Sequence, residues 1–426
     1  MTELHQLSAS VAAKKIQANE LKSEDLIRSC IERIREREPI TQAWVETNFD
    51  AAIERARYLD RSANLGPLHG IPFGAKDLFD THDFPTRLGS PIYENNRPSS
   101  DAVHIALMRQ AGGVLLGKTV TTEFATFKGG KTTNPHNPEY TPGGSSSGSA
   151  AAVADDMIPL ATGSQTAGSV IRPAAFCGVV GYKPTYGKVS LGGVKSLSPS
   201  LDTLGSFSRT VADAALCVAA MSGDHQLATI HKMKHKPRIA TCLTYDGELA
   251  STETITAIHH AALLAEDVFK TQVPAIELPT IFKDMSALQG RIMWSESARS
   301  FSFEQNNHSE QLSQQLKGLI KLGSAITYEQ YSNDLIVAEK ARALIDQLLT
   351  GSWDVLIAPS AIGEPTKGLT QTGDPIFCRV WTLMGLPCIT LPLYKGPNHL
   401  PVGVQLVAAR GRDALLLSVA DALMSA

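Results

Sequence analysis

Two spacings of apolar residues alternate along this chain, and the change between them divides it. After Ser23, the residues Leu26, Ile27, Cys30, Ile31 and Ile34 recur at helical spacing. Ser23 reads as the N-cap, Glu24 and Asp25 suit the positive end of a helix dipole, and Pro39 reads as the stop. One apolar stripe predicts helices packed on a larger body. From about Leu68 to Leu204 the texture shifts to short apolar strands, glycine-rich turns and small-residue helices. Residues 69–76 read as a strand with a polar end, and 101–110 as a helix closed by Gly112 and Gly113. The next strand is 114–117, followed by a helix over 149–155 and a buried strand over 158–162. Strands alternating with helices predict an α/β sheet with function at the loops beyond the strand ends.

Residues 223–352 are more charged and richer in His, Gln and Lys; after a strand at 238–243 their pattern is mainly helical. Apolar strands return at 355–358 and 388–393, with Trp381 between them. The expectation is a single unit over 1–426. It comprises N-terminal helices (1–65), a core (66–222), a variable helical segment that shapes the pocket (223–352), and a return to the sheet (353–426).

Composition narrows the function. Hydrophobic residues make up 43% of the 426 and charged residues 19%, enough for a sizeable core. A net charge of −3 gives no electrostatic basis for binding nucleic acid or an anionic membrane. The basic run from His231 to His235 reads as a solvated connection. The six cysteines are scattered, with no C-x-x-C spacing and no H-E-x-x-H elsewhere, so no metal site and no cofactor is expected. Nothing at the N-terminus resembles a signal peptide and no apolar run reaches membrane-spanning length, so the expected address is the cytoplasm.

Three short segments carry candidate chemistry. Gly70 to Asp77 reads GIPFGAKD and places Lys76 at the end of an apolar strand, where a lysine is ordinarily a surface residue. Gly143 to Ala150 reads GGSSSGSA, and Gly144 before Ser145 allows unusual backbone. Gly163 to Pro173 reads GSQTAGSVIRP, in which Ser169 follows small residues at a tight turn, where backbone N–H groups can gather around a hydroxyl. Two other motifs compete. Gly112 to Thr119 spells the phosphate-loop pattern, but a helix precedes it and Val114, Leu115 and Leu116 form a strand inside the supposed loop. Gly144 to Gly148 spells G-x-S-x-G around Ser146, but Pro135, Pro138 and Pro142 interrupt the strand that a nucleophile elbow needs.

Taken jointly, Lys76, Ser145 and Ser169 resemble the triad of the amidase signature family, hydrolases that use Ser–cisSer–Lys. The resemblance continues through AAFCG (Ala174 to Gly178), YKPTYGKVS (Tyr182 to Ser190) and SLDTLGSFSRTVADAA (Ser200 to Ala215), and again, more thinly, from Asp354 to Leu423. It implies an amidase signature fold, with one large mixed central sheet covered by helices on both faces. It implies a seryl acyl-enzyme that hydrolyses the C–N bond of a small amide, releasing a carboxylate and ammonia or an amine. By the same resemblance the Gly144–Ser145 bond is cis, and Thr166, Ala167, Gly168 and Ser169 supply the oxyanion hole. Ala167 stands where many members have glycine, which is acceptable only if its φ is negative. Arg172 either clamps a substrate carboxylate or braces the Ser169 loop. The local text is most similar to the malonamidase-like branch, which favours small carboxylated amides. The alternatives are an amidotransferase component that supplies ammonia to a partner and a non-catalytic binding scaffold. Gln165 and Pro173 replace the Asp and Gln typical of the amidotransferase component. The expected partner is a small-molecule amide, with no nucleic acid and no membrane, and a homodimer is compatible with the sequence.

Overall fold

The computed structural model describes residues 3–63 and 66–426; the expected division at 65 falls outside them. The strands, in chain order, are β1 (Trp44–Thr47), β2 (Pro72–Lys76), β3 (Val114–Thr119), β4 (Leu160–Gln165) and β5 (Val180–Lys183). They continue as β6 (Thr203–Ser208), β7 (Ile239–Thr241), β8 (Val355–Pro359), β9 (Cys388–Lys395) and β10 (Pro401–Ala408). Among the described residues they form one 10-stranded sheet in the order β1-β3-β2-β4-β6-β5-β9-β10-β8-β7. Pairings β2/β3, β2/β4 and β7/β8 are parallel, and the others are antiparallel. The sheet is therefore mixed, as the resemblance implies. Every residue of β2, β3, β4, β6, β8 and β10 is buried, which requires cover on both faces.

Small residues set how closely that cover lies. The helix Ser147–Ala154 reads SGSAAAVA and is buried from Ser147 to Val153. A Cβ on Gly148 would lie 2.2 Å from Ala43 O and 2.3 Å from Val120 N, so only glycine lets this helix start against the ends of the neighbouring strands. The segment that spells the phosphate-loop pattern is strand, as its apolar run predicts: β3 runs through it, and a Cβ on Gly117 would lie 2.2 Å from Glu46 O. Lys118 is buried on an ion pair with Asp77 (3.1 Å) and donates to Phe79 O and Thr86 Oγ1, both at 2.8 Å.

The helix Ser23–Thr41 buries the apolar stripe that its sequence announces. Two details differ from expectation. Ser23 is not the cap: Lys22 holds that place, and Asp60 caps the helix from another segment, accepting from Ser23 N at 2.6 Å and Glu24 N at 3.1 Å. Pro39 does not stop the helix, since losing one N–H so near the end removes one bond, and the chain turns only at Gln42 (φ 50°). The N-terminal region also contains a strand, β1, that the helical reading missed. Residues 223–352 are mainly helical, with long helices Thr252–Phe269, Met285–Ser300 and Tyr328–Gly351. Residues 231–232 and 234–236, within the basic run and its continuation, are exposed. All six cysteines are free and buried. No helix among the described residues is long and apolar enough to cross a membrane.

Candidate active site

Sequence neighbours at the end of β2 point into different surroundings. Asp77 turns to Lys118, whereas Lys76 enters a pocket of hydroxyls. Its Nζ lies 2.8 Å from Ser145 Oγ and 2.8 Å from Ser164 Oγ. Lys76 and Ser145 are wholly buried, while Ser169 keeps 9% exposure, so of the three only Ser169 has any access to solvent. Burial pushes the Lys76 ammonium down from its ordinary 10.5 to about 7, a shift that the negative charge of Asp202 partly opposes. Among the described residues no carboxylate forms an ion pair with Lys76, so much of it is a neutral amine at neutral pH.

Ser145 sits in the loop between β3 and the helix Ser147–Ala154, and the Gly144–Ser145 peptide bond is cis. The loop is tied at several points. Thr122 N donates to Ser145 O at 3.1 Å, and Arg172 donates to Gly144 O at 2.7 Å and to Thr372 Oγ1 at 3.2 Å. A Cβ on Gly144 would lie 2.7 Å from Thr372 Cγ2. Arg172 is thus fully buried with its guanidinium on the Gly144 carbonyl, and desolvation lowers its pKa to about 10. Ser146, the nucleophile of the G-x-S-x-G reading, is buried against the backbone of Ser164.

The loop carrying Ser169 is held by its carbonyls. Gln289 Nε2 donates to Thr166 O (2.9 Å), Thr382 Oγ1 to Ala167 O (2.7 Å), and Arg172 N to Gly168 O (2.9 Å). In a trans peptide the C=O and the following N–H point in opposite directions. Fixing these carbonyls on the scaffold therefore turns the N–H groups of Ala167, Gly168 and Ser169 away from it, and they have no acceptor among the described residues. Gln165 fastens both ends of the same loop. Its Oε1 accepts from Val170 N and Ile171 N, and its Nε2 donates to Thr382 Oγ1. Ala167 has no positive φ, which removes the difficulty foreseen for alanine there. Thr166 donates its hydroxyl to Asp202 Oδ1 at 2.5 Å. Ser169 Oγ makes no hydrogen bond to Ser145 here; such contacts often tighten only around substrate.

Sequence reasoning missed Ser164, Asp202, Gln289 and Thr382. Ser164 left one trace, a hydroxyl two residues after Thr162 in a strand of small and apolar residues that ends in Gln165. Asp202 lay within SLDTLG, quoted only for its resemblance. Gln289 and Thr382 come from segments more than 100 residues away, and nothing local marks them.

The groups that acyl transfer needs are present: a buried lysine whose pKa is lowered, a hydroxyl bonded to it, a slightly exposed serine on the loop after β4, and N–H groups on that loop without acceptors among the described residues. The Amidase family model matches residues 25–417. A glutamyl-tRNA(Gln) amidotransferase subunit of Endomicrobium trichonymphae is 30% identical, covering 99% of this chain and 97% of its own. The protein of the same name from Oleidesulfovibrio alaskensis is 32% identical, covering 99% and 98%. Among solved structures, 6-aminohexanoate cyclic dimer hydrolase superposes with a TM-score of 0.88 at 25% identity, covering 100% of this chain and 97% of that one. The peptide amidase of Stenotrophomonas maltophilia does so with a TM-score of 0.83 at 27% identity, covering 99% and 96%. With the family model spanning nearly its whole length and the site chemistry in agreement, this chain belongs to the amidase signature family and is an enzyme that hydrolyses carbon–nitrogen amide bonds.

Proposed function

We propose that Ser169 is the nucleophile of an amidase acting on a small amide, with Ser145 and neutral Lys76 as its proton relay. The observation that carries this reading is the buried Lys76 Nζ at 2.8 Å from Ser145 Oγ. Ser169 Oγ attacks the amide carbonyl as its proton passes to Ser145 and that of Ser145 passes to Lys76. Negative charge on the carbonyl oxygen is received by the N–H groups of Ala167, Gly168 and Ser169. The protons return to the leaving nitrogen, ammonia or an amine departs, and an acyl-enzyme remains. Water deprotonated through the same relay then releases the carboxylate. In this reading Arg172 braces the Ser145 loop, because it is wholly buried and one guanidinium nitrogen donates to both Gly144 O and Thr372 Oγ1. Thr166 contributes through its hydroxyl on Asp202, which holds the start of the loop.

A second reading rests on the glutamyl-tRNA(Gln) amidotransferase relatives, which match 99% of this chain at 30–32% identity. There the same chemistry serves a complex, with ammonia passed to a partner protein. Gln165 and Pro173 favour the free-standing enzyme, because both replace residues typical of those relatives. Ammonia release by the purified chain separates the two. Turnover of small primary amides without any partner, abolished in a folded Ser169→Ala variant, supports the free-standing amidase. Release from glutamine alone, and only when partner proteins are added, supports the second reading. Near-wild-type turnover by Ser169→Ala would overturn the triad itself.

A further inference from the structure

The helix Ile376–Leu383 lies directly over the nucleophile loop. A Cβ on Gly168 would lie 2.8 Å from Pro375 Cβ and 3.2 Å from Cys378 Cβ. The same helix sends Thr382 to Ala167 O. Arg379, three residues before Thr382 and so on a neighbouring part of the helix surface, is mostly buried beside this loop. Its NH1 donates to Gln289 Oε1 at 3.2 Å, and the other end of that amide donates to Thr166 O at 2.9 Å. One side-chain amide thus separates the guanidinium from the loop that receives the reacting carbonyl.

What sets Arg379 apart is a shortage of partners in a guanidinium that is not wholly sealed. Arg291 holds Asp334 through two bonds of 2.8 and 2.7 Å, and Arg33 and Arg37 share Asp155. Arg172 donates to the Gly144 carbonyl and to Thr372 Oγ1; its Nε and Nη1 also lack partners, but it is wholly buried, whereas Arg379 keeps partial exposure through which an anion can reach it. Arg379 has one neutral amide; its Nε is buried with no partner, and among the described residues no carboxylate forms an ion pair with it. Asp374 and Asp246 act on it only through space. A guanidinium keeps its charge in such surroundings, and a charge largely removed from water calls for an anion. The Gln289 contact fixes the plane of the fork and leaves the remaining edge for a second planar group.

We propose that Arg379, oriented by Gln289, is a specificity residue that binds a carboxylate on the substrate, within a few bonds of the scissile amide. This rests on the amidase reading above and names its substrate class: short amides that carry a carboxylate, such as the half-amides of small dicarboxylic acids. Arg172 is not the reader of that group.

Two measurements test it. In the first, kcat/KM is measured for succinamate and for butyramide, which differ in the distal carboxylate. Wild type should prefer succinamate, and Arg379→Lys, with Arg379→Gln as a second variant, should lower the succinamate-to-butyramide ratio at least about tenfold. If Arg379 only steadied Gln289, both substrates would lose rate together and the ratio would hold, which overturns the proposal. In the second, succinate and butyrate are titrated into Ser169→Ala protein with and without the Arg379 replacement, thermal melts checking that each variant is folded. Succinate should bind at least about tenfold more tightly than butyrate, and the replacement should erase the difference. Equal binding, or an advantage that survives the replacement, overturns the proposal. Because this second arm needs no turnover, failure of the amidase reading and failure of the carboxylate site give different results.

Discussion

Lys76 cannot accept a proton until it has given one up, so its burial governs both rate and stability. With its pKa pushed down to about 7, kcat/KM should fall about tenfold per pH unit below that point and level off above it. A rate independent of pH from 5 to 9 would exclude a lysine base. Stability also declines as pH falls, but over a higher range. An unfolded lysine titrates near its ordinary 10.5, so between 10.5 and about 7 the unfolded chain binds the extra proton and stability declines as pH falls. Below about 7 both states are protonated and the whole penalty of the buried charge is present. Lys76→Met should therefore abolish turnover yet raise the melting temperature, and by more at pH 6 than at pH 9. A uniform gain across pH would show that packing, not charge, is responsible. At this scale the sequence revealed what glycine and small residues frame: Lys76, Ser145 and Ser169 stand in segments unlike the rest of the chain. Ser164, Asp202, Gln289 and Arg379 are ordinary polar residues in ordinary surroundings, and only tertiary packing brings them to the site. Arg172 could be read either way because its partner, Gly144 O, is a backbone atom that no side-chain pattern announces.

At the scale of elements, the helix Ser147–Ala154 owes its position to the absence of a single methyl group. The Cβ in Gly148→Ala would meet two backbone atoms, Ala43 O and Val120 N, neither of which can rotate away. We expect a loss of about 3 kcal/mol or more in denaturant unfolding, with activity lost too because Ser145 immediately precedes this helix. A variant as stable as wild type would show that the strand ends can yield. Periodicity located the helices well, since an apolar stripe at helical spacing has few other readings. It placed β2, β3, β4, β7, β8 and β9 to within a few residues and missed β1, β5, β6 and β10. Strands buried on both faces show no alternation, and runs such as VGYK and TLGSFS look like turns until a sheet surrounds them. The cap of the helix Ser23–Thr41 escaped for a related reason, because Asp60 arrives from the end of a later helix.

At the scale of the molecule, the N-terminal helices are fastened to the core by buried polar groups as well as by their apolar stripe. Asp155, in the loop after the helix Ser147–Ala154, receives Arg33, Arg37 and Thr41. Asp213 accepts from Ala9 N and Ser10 N, and Arg209 donates to His5 O and Leu7 O. Asp155→Ala should cost about 2 kcal/mol, less than a wholly buried pair because both arginines keep some access to water. An unchanged melting temperature would show that the apolar stripe suffices. The order of the sheet was not legible in the sequence: that β5 lies beside β9, and β10 between β9 and β8, follows from long-range pairing. That topology has a consequence for synthesis. A chain leaving the ribosome has all of its triad by Ser169, but Thr382, which pins the Ala167 carbonyl, lies 215 residues beyond that alanine. Until then the Ala167 carbonyl lacks its anchor, although Gln165, Arg172 and Gln289 already hold other points of the loop. If Ser169 is the nucleophile, the order of translation therefore leaves the loop around it without its final carbonyl anchor until the helix Ile376–Leu383 has been made.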